Sequence, residues 1–142
     1  MYSAMKVARY IIAHEKGCRR SVTNLRLQKL LYFVQAQFLV ERNEPCFDAE
    51  IEAWDFGPVV PEVYHEYKFY GASPIPCSSP KDAIEQIHSS DRNSIDIILD
   101  DCRKYSTTTL INITHQQDPW KNARKNHNKV ITTDAIKSFF AS

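Results

Sequence analysis

The chain is poor in glycine, with three in 142 residues. Long flexible linkers and a phosphate-cradling glycine loop are therefore excluded. No apolar run approaches the ~20 residues needed to cross a bilayer. The N-terminal stretch MYSAMKVARYIIAHEKG carries charge where a secretory leader needs an unbroken apolar core. No sign of charge dominates, and a formal net charge of +1 argues against a generic nucleic-acid binder. The four cysteines, Cys18, Cys46, Cys77 and Cys102, form no CxxC pair, and the five histidines are scattered. Zinc sites bring ligands in close pairs, so no metal is expected, and buried or half-buried free thiols are the default. GxSxG and HExxH are missing too. A Cys–His nucleophilic pair need not be adjacent in sequence, but nothing here selects one. These absences predict a soluble, intracellular (cytoplasmic) protein without a membrane segment, and no residue pattern calls for a cofactor; an enzyme with an unrecognised site stays open at this point.

Apolar residues make up 43% of the chain and charged residues 25%, the composition of a folded globular domain. The length fits one domain, 1–142, with a core large enough to need no disulfide. Charge is unevenly placed. Residues 1–44 carry eight basic and three acidic groups, and 103–142 carry seven and two. Between them, 45–71 carry one and six, and 72–102 carry two and six. Two readings follow: the basic ends pair with the acidic middle as they pack over it, or a dipolar surface steers a charged partner.

Hydrophobic spacing predicts a mainly α protein, a compact bundle of about six or seven helices with a small β-hairpin-like element near residues 47–60. A first helix runs from Ser3, its cap, to Lys16, with Gly17 as a left-handed stop. A second runs from Asn24 to Glu41 behind Thr23. Its Leu27, Leu30, Leu31, Val34 and Phe38 recur at helical spacing, and Leu25, Tyr32, Phe33 and Leu39 widen the arc, which marks a central helix. In FDAEIEAWDF, residues 47–56, the period is two, as in a strand with one wet face. Gly57-Pro58 turns the chain, Val59-Val60 returns, and Pro61 opens a third helix closed by Gly71. Ala72–Pro80, with three prolines, reads as a join between two packed halves. Further helices are expected over Pro80–His88, from Asp91 to Lys104, from Thr107 or Thr108, from the Asp118-Pro119-Trp120 start, and from Thr133. No internal repeat is visible.

Glu50 and Glu52 share a strand face, where flanking carboxylates are usually just solvated. His115, before a chain reversal, suits a helix C-terminus whose last carbonyls it can bond, or a partner contact. Arg19, Arg20, Arg26 and Lys29 gather at the first helix junction. The connector is long for a helix-turn-helix and the second helix too apolar for a DNA groove, so nucleic-acid contact is not favoured. Gly57, Pro58 and Pro61 stiffen WDFGPVVPEVYHEYKFYG, which is crowded with Trp54, Phe56, Tyr64, Tyr67, Phe69 and Tyr70. These aromatics serve the core, or a partner for which Trp and Tyr are favoured anchors.

Three blocks in order, TNLRLQKLLYFVQA (23–36), FDAEIEAWDFGPVVPEVYHEYKFYG (47–71) and ITHQQDPWKNAR (113–124), resemble the Panacea domain family of SocA-type antitoxins and phage-associated GepA proteins. Matching positions are Gln28, Lys29 and Tyr32 in the first block. In the second they are Trp54, Gly57, Pro58, Val59, Pro61, Glu62 and Tyr64, and in the third Thr114, His115, Pro119 and Trp120. Gln116-Gln117 stands where relatives often carry an acidic residue. The resemblance implies an antitoxin, often prophage-borne, that neutralises the toxin encoded beside it by direct protein contact. The alternatives it leaves are an adaptor delivering the toxin to a protease, or a prophage-encoded regulator contacting nucleic acid. It implies no enzyme activity and no metal. A signature shared across unrelated toxins is expected to be scaffold, so toxin choice should lie outside it, in Ala72–Asp91 and the terminal helices. A homo-oligomer stays open, because an amphipathic stripe suits a core or a dimer seam.

Overall fold

In the computed structural model, which describes residues 1–142, the chain begins with helix α1, Ala4–Gly17, capped by the Ser3 hydroxyl, which accepts the Lys6 N–H. Ala4, Val7, Ala8, Ile11 and Ile12 bury one face of it. The expected left-handed stop at Gly17 is corrected: Gly17 stays helical and Arg19 takes the left-handed conformation, at φ 60°. The reason is the closing bond pattern. The Arg20 N–H reaches the Glu15 carbonyl at 2.8 Å and the Arg19 N–H reaches Lys16 at 3.0 Å, which places the reversal two residues later.

Helix α2, Asn24–Arg42, starts behind Thr23, whose hydroxyl accepts the Arg26 N–H, and stops at left-handed Asn43. It packs against α1 and, among the elements described below, β2, α3, α5, α6 and α8, which is why it is apolar on most sides. Leu27, Leu30, Leu31 and Val34 are fully buried on it. Each stabilises the fold by about 1.5–3 kcal/mol relative to exposure.

The expected strand contracts to β1, Ile51–Trp54, paired antiparallel with β2, Gly57–Val59, in the register Trp54 with Gly57 and Glu52 with Val59. The start of the expected strand instead makes one parallel bridge, Phe47 with Tyr2. A third strand that sequence reading missed, β3, Val130–Ile131, pairs with β1 to give the order β2-β1-β3. Two residues leave no alternation to detect. Asp55 and Phe56 keep negative φ through the hairpin turn, and Gly57, at φ +104°, makes the reversal.

Pro61 occupies the first turn of α3, Pro61–Tyr67. A 3-10 turn, Lys68–Tyr70, follows and ends at Gly71, φ +56°. Next come α4, Pro80–Glu85, α5, Ser89–Cys102, α6, Thr107–His115, α7, Asp118–Lys125, and α8, Thr133–Ala141. The class is as expected, with eight α-helices rather than six or seven.

Four starts move by a residue or more. Asp91 does not cap α5: it lies inside the first turn, held by the Tyr2 hydroxyl and Arg42. The cap of α6 is Ser106 rather than a threonine, and that of α8 is Thr132 rather than Thr133. Asp118 is the first residue of α7, behind Gln117. Adjacent Ser and Thr residues offer equal capping oxygens, so composition alone does not choose among them.

The core is one cluster of thirty buried apolar residues to which every α-helix but α4 contributes, the Ile84 side chain of α4 packing against it. The 72–80 segment is not a join between halves: the Ile75 N–H bonds the Val22 carbonyl at 2.8 Å, and α4 lies against α1. No helix is long and apolar enough to cross a membrane.

Candidate partner-binding surface

The polar side chains of α2 do not face water. Lys29 is fully buried, and its Nζ donates to the Pro58 carbonyl at 2.6 Å. The Phe56 ring centroid lies 5.6 Å from the same nitrogen. No carboxylate pairs with it, and burial lowers its pKa from 10.5 to about 7. Gln28, one residue earlier, accepts the Val60 N–H at 2.9 Å and donates to Asn24, which donates to the Tyr64 carbonyl. Two turns on, Gln35 accepts the Cys46 N–H and donates to the Phe47 carbonyl. The Tyr32 hydroxyl donates to Gln117 at 2.7 Å, joining α2 to the approach of α7. Helical spacing thus lays Asn24, Gln28, Lys29, Tyr32 and Gln35 against the hairpin and its flanks. Each satisfies a partner that would otherwise be buried without one.

Gly57 is required twice. Its φ disfavours a side chain, and a Cβ there would lie 2.8 Å from Lys29 Nζ and 2.9 Å from Thr114 Oγ1. The glycine lets the hairpin settle directly on the lysine and on α6. Pro58 adds a buried ring with no N–H to satisfy.

The third block closes the other side of the hairpin. The Trp120 indole donates to the Trp54 carbonyl at 2.8 Å, and Arg124 donates to the Ala53 carbonyl. Pro119 is buried in the first turn of α7. The expected bonds from His115 to the last carbonyls of α6 are not made, because the N–H groups of Gln116 and Gln117 take the Ile113 and Thr114 carbonyls. His115 instead stacks on Trp120, ring centroids 4.2 Å apart, with its Nε2 buried and unpartnered.

Of the twelve candidate positions, Gln28, Lys29, Trp54, Gly57, Pro58, Pro61, Tyr64, His115 and Trp120 gather at the hairpin, directly or through one side chain, while Tyr32 and Pro119 lie where α2 meets the start of α7. Glu62 is exposed in the first turn of α3 and joins none of these bonds. Sequence reading missed Asn24, Gln35, Gln117 and Arg124. The signal for the first two was a polar residue on a helix otherwise apolar on most sides.

Outside this clamp the aromatics turn to the surface. Trp54, Phe56 and Tyr64 are half-buried and pack on one another, 5.1–5.9 Å between centroids. Phe69 is 92% exposed and packs edge-on against Tyr70. Tyr70 and Tyr67 form one wall of a cleft of about 500 Å³, with Arg9 and Ile12 of α1 and the Pro76–Ser79 segment opposite. The aromatic set thus divides: Tyr67 and Tyr70 pack on the core, and Phe69 does not.

The uneven charge is met in part within the molecule. Arg20 pairs with Asp100, Arg42 with Asp91, Arg124 with Asp55 and Lys129 with Glu52, each tying a basic end to the acidic middle. The basic gathering at the first junction is dispersed as well. Arg20 is held by Glu15 and Asp100, Arg26 bonds the Cys102 and Tyr105 carbonyls, and Lys29 is buried. Glu52 also accepts from the Trp54 indole, so Glu50 and Glu52 do not act as a matched pair. All four cysteines are free; Cys46 and Cys102 are buried, Cys77 is half-buried, and Cys18, against expectation, is exposed.

The polar residues of the signature thus hold a hairpin within a helical fold. The family described as "Antitoxin SocA-like, Panacea domain" matches residues 27–121, and the chain belongs to it. A curated relative, Antitoxin SocA of Caulobacter vibrioides (strain NA1000 / CB15N), is 40% identical over 68 residues. The alignment covers 48% of this chain and 36% of that relative, so the match spans about a third of the relative's length. No solved structure matches the chain.

Proposed function

We propose that the protein is the antitoxin of a toxin–antitoxin pair and neutralises a neighbouring-gene toxin in the cytoplasm by direct binding, acting as a binding protein and not as an enzyme. The observation that carries this reading is the family match across residues 27–121. The surface is consistent with it. Half-buried Tyr67 and Tyr70 line a cleft and exposed Phe69 packs on Tyr70, an arrangement suited to anchor contacts. In this reading the hairpin clamp is scaffold. Toxin choice lies around the cleft, in the Pro76–Ser79 segment and Asp82 outside the signature blocks, with Phe69 at the last edge of the second block exposed beside Tyr70.

The test is growth rescue. The adjacent reading frame is induced alone and with this protein, colonies are counted, and the two purified proteins are mixed and sized. Toxicity relieved by co-expression, with a stable complex on sizing, is the expected result. Rescue without a complex, but with the toxin lost from cells in a protease-dependent way, would replace occlusion by proteolytic delivery. A harmless neighbour, or one that stays toxic beside folded protein, would overturn the antitoxin reading.

A further inference from the structure

Where α1 ends against α5, His14 and Cys18 stand one turn apart and Asp100 faces them. The Cys18 Sγ lies 3.6 Å from His14 Nε2, and the same nitrogen lies 3.5 Å from Asp100 Oδ1. The ligand atoms of all three lie within 4.8 Å of one another. Zinc bound tetrahedrally by sulfur, nitrogen and oxygen at ordinary bond lengths separates its ligand atoms by about 3.3–3.6 Å. The sulfur–nitrogen and nitrogen–oxygen separations fall at that spacing.

The surroundings are those of a supported ligand set. His14 Nδ1 faces Asp96 Oδ1 at 3.2 Å, which leaves Nε2 toward the thiol and Asp100. Asp96 is in turn held by the Tyr10 hydroxyl at 2.6 Å. Asp100 accepts from Arg20 at 3.0 Å, and Arg20 is anchored by Glu15, which is buried. A carboxylate behind a ligating histidine, and a hydrogen-bond donor on a ligating carboxylate, are what orient metal ligands. The Arg20 bond falls on the same Asp100 Oδ1 that faces His14, so a metal takes that oxygen in place of the guanidinium, which keeps its bond to Glu15. The three donors sum to two negative charges once the thiol is deprotonated, which matches a divalent cation. Cys18 and Asp100 are exposed, so an ion can reach the site from solvent.

We propose that His14, Cys18 and Asp100 form a zinc site that clips the C-terminal end of α1 to α5, with a fourth position open to water. Binding displaces the Cys18 thiol proton to solvent as the sulfur–zinc bond forms. His14 and Cys18 precede the segment matched by the family, and Asp100 lies within it. The residue spacing His-x-x-x-Cys was present in the sequence; Asp100, 82 residues beyond Cys18, was supplied only by the fold.

The experiment uses the full chain, stripped with chelator under reducing conditions and titrated with Co²⁺ and then Zn²⁺. The expected result is one equivalent of Co²⁺ giving a thiolate-to-cobalt band in the near ultraviolet and intense tetrahedral bands in the visible. Zn²⁺ should displace it and raise the Tm. Cys18→Ser and His14→Gln should each weaken binding at least tenfold, while Cys77→Ser leaves it unchanged. Absence of a stoichiometric thiolate band in the folded native protein, or a band that survives in Cys18→Ser, would overturn the proposal and leave His14 as a bridge between two carboxylates.

Discussion

Around the hairpin, Gln28, Lys29 and Tyr32 are buried and each gives a polar atom to a group on another element. Along the arm from Ala72 to Asp91, only Ile75, Ala83 and Ile87 are buried, and the other residues are half-buried or face solvent. Both regions touch the same core. They differ in what a substitution meets. In the clamp, a changed side chain strands a buried carbonyl or amide; on the arm, most changes meet water. The contrast is therefore between residues that make the fold and residues that, in the proposed reading, are free to choose a toxin.

The largest effect is expected at Gly57. Gly57→Ala combines a disfavoured φ with contacts to Lys29 and Thr114 below 3 Å, and should cost about 2–4 kcal/mol in denaturant unfolding. A cost under 0.5 kcal/mol would mean the hairpin can shift off α2, and the clamp would lose its rigidity argument. Lys29→Ala comes next. It opens a cavity and leaves the Pro58 carbonyl unpaired, for a loss of about 2–3 kcal/mol. Lys29→Met, which fills the space, should cost less.

A pH series sharpens the same point. The Lys29 pKa in the folded protein is lowered to about 7, while in the unfolded chain it returns toward 10.5. Between those values the unfolded state holds a proton that the folded state has released, so stability rises with pH, by up to about 1.4 kcal/mol per unit. Burial raises the Cys46 thiol from 9.0 to about 12, so its contribution is present below pH 9 and declines above it. The window from pH 7 to 9 therefore isolates the lysine. Native protein should gain about 2 kcal/mol across it relative to Lys29→Met; parallel curves for the two proteins would show that Lys29 stays charged when buried.

The smallest stability effects are expected on the arm and its rim. Phe69→Ser and Asp82→Ala should change unfolding free energy by about 0.5 kcal/mol or less, since both residues are exposed. Their effect should appear in rescue of growth instead. If these variants unfold the protein, the arm is part of the scaffold and the contrast with the clamp fails.

Much of this division was legible in the residues. Ser3 and Thr23 announced the first two helices, and the width of the apolar arc on 24–41 announced which helix is central. The hairpin was readable because Gly57-Pro58 interrupts a period-two run. What was hidden depended on groups distant in sequence. Val130–Ile131 becomes a strand only because β1 offers an unpaired edge. The stop of α1 moved to Arg19 because backbone bonds from Arg19 and Arg20 close the helix there. At the site, the signature blocks pointed to the right neighbourhood, but residue type did not distinguish buried Lys29 from exposed Glu62. Lys29 sits on an all-round apolar helix under a glycine, and Glu62 on the wet side of a one-turn-old helix. Asn24 and Gln35 carry the same kind of bond as Gln28 and were passed over as ordinary helix polar residues.

The central claim is that fold and toxin choice reside in different surfaces of one binding protein. It is tested most directly by titration calorimetry of the neighbouring gene's product into native protein and into the Phe69→Ser/Asp82→Ala double variant, with the Tm of each recorded. The account predicts tight one-to-one binding by the native protein and at least a tenfold loss in the variant at unchanged Tm. Equal affinities for the two, with both folded, would contradict it and move the contact away from the cleft.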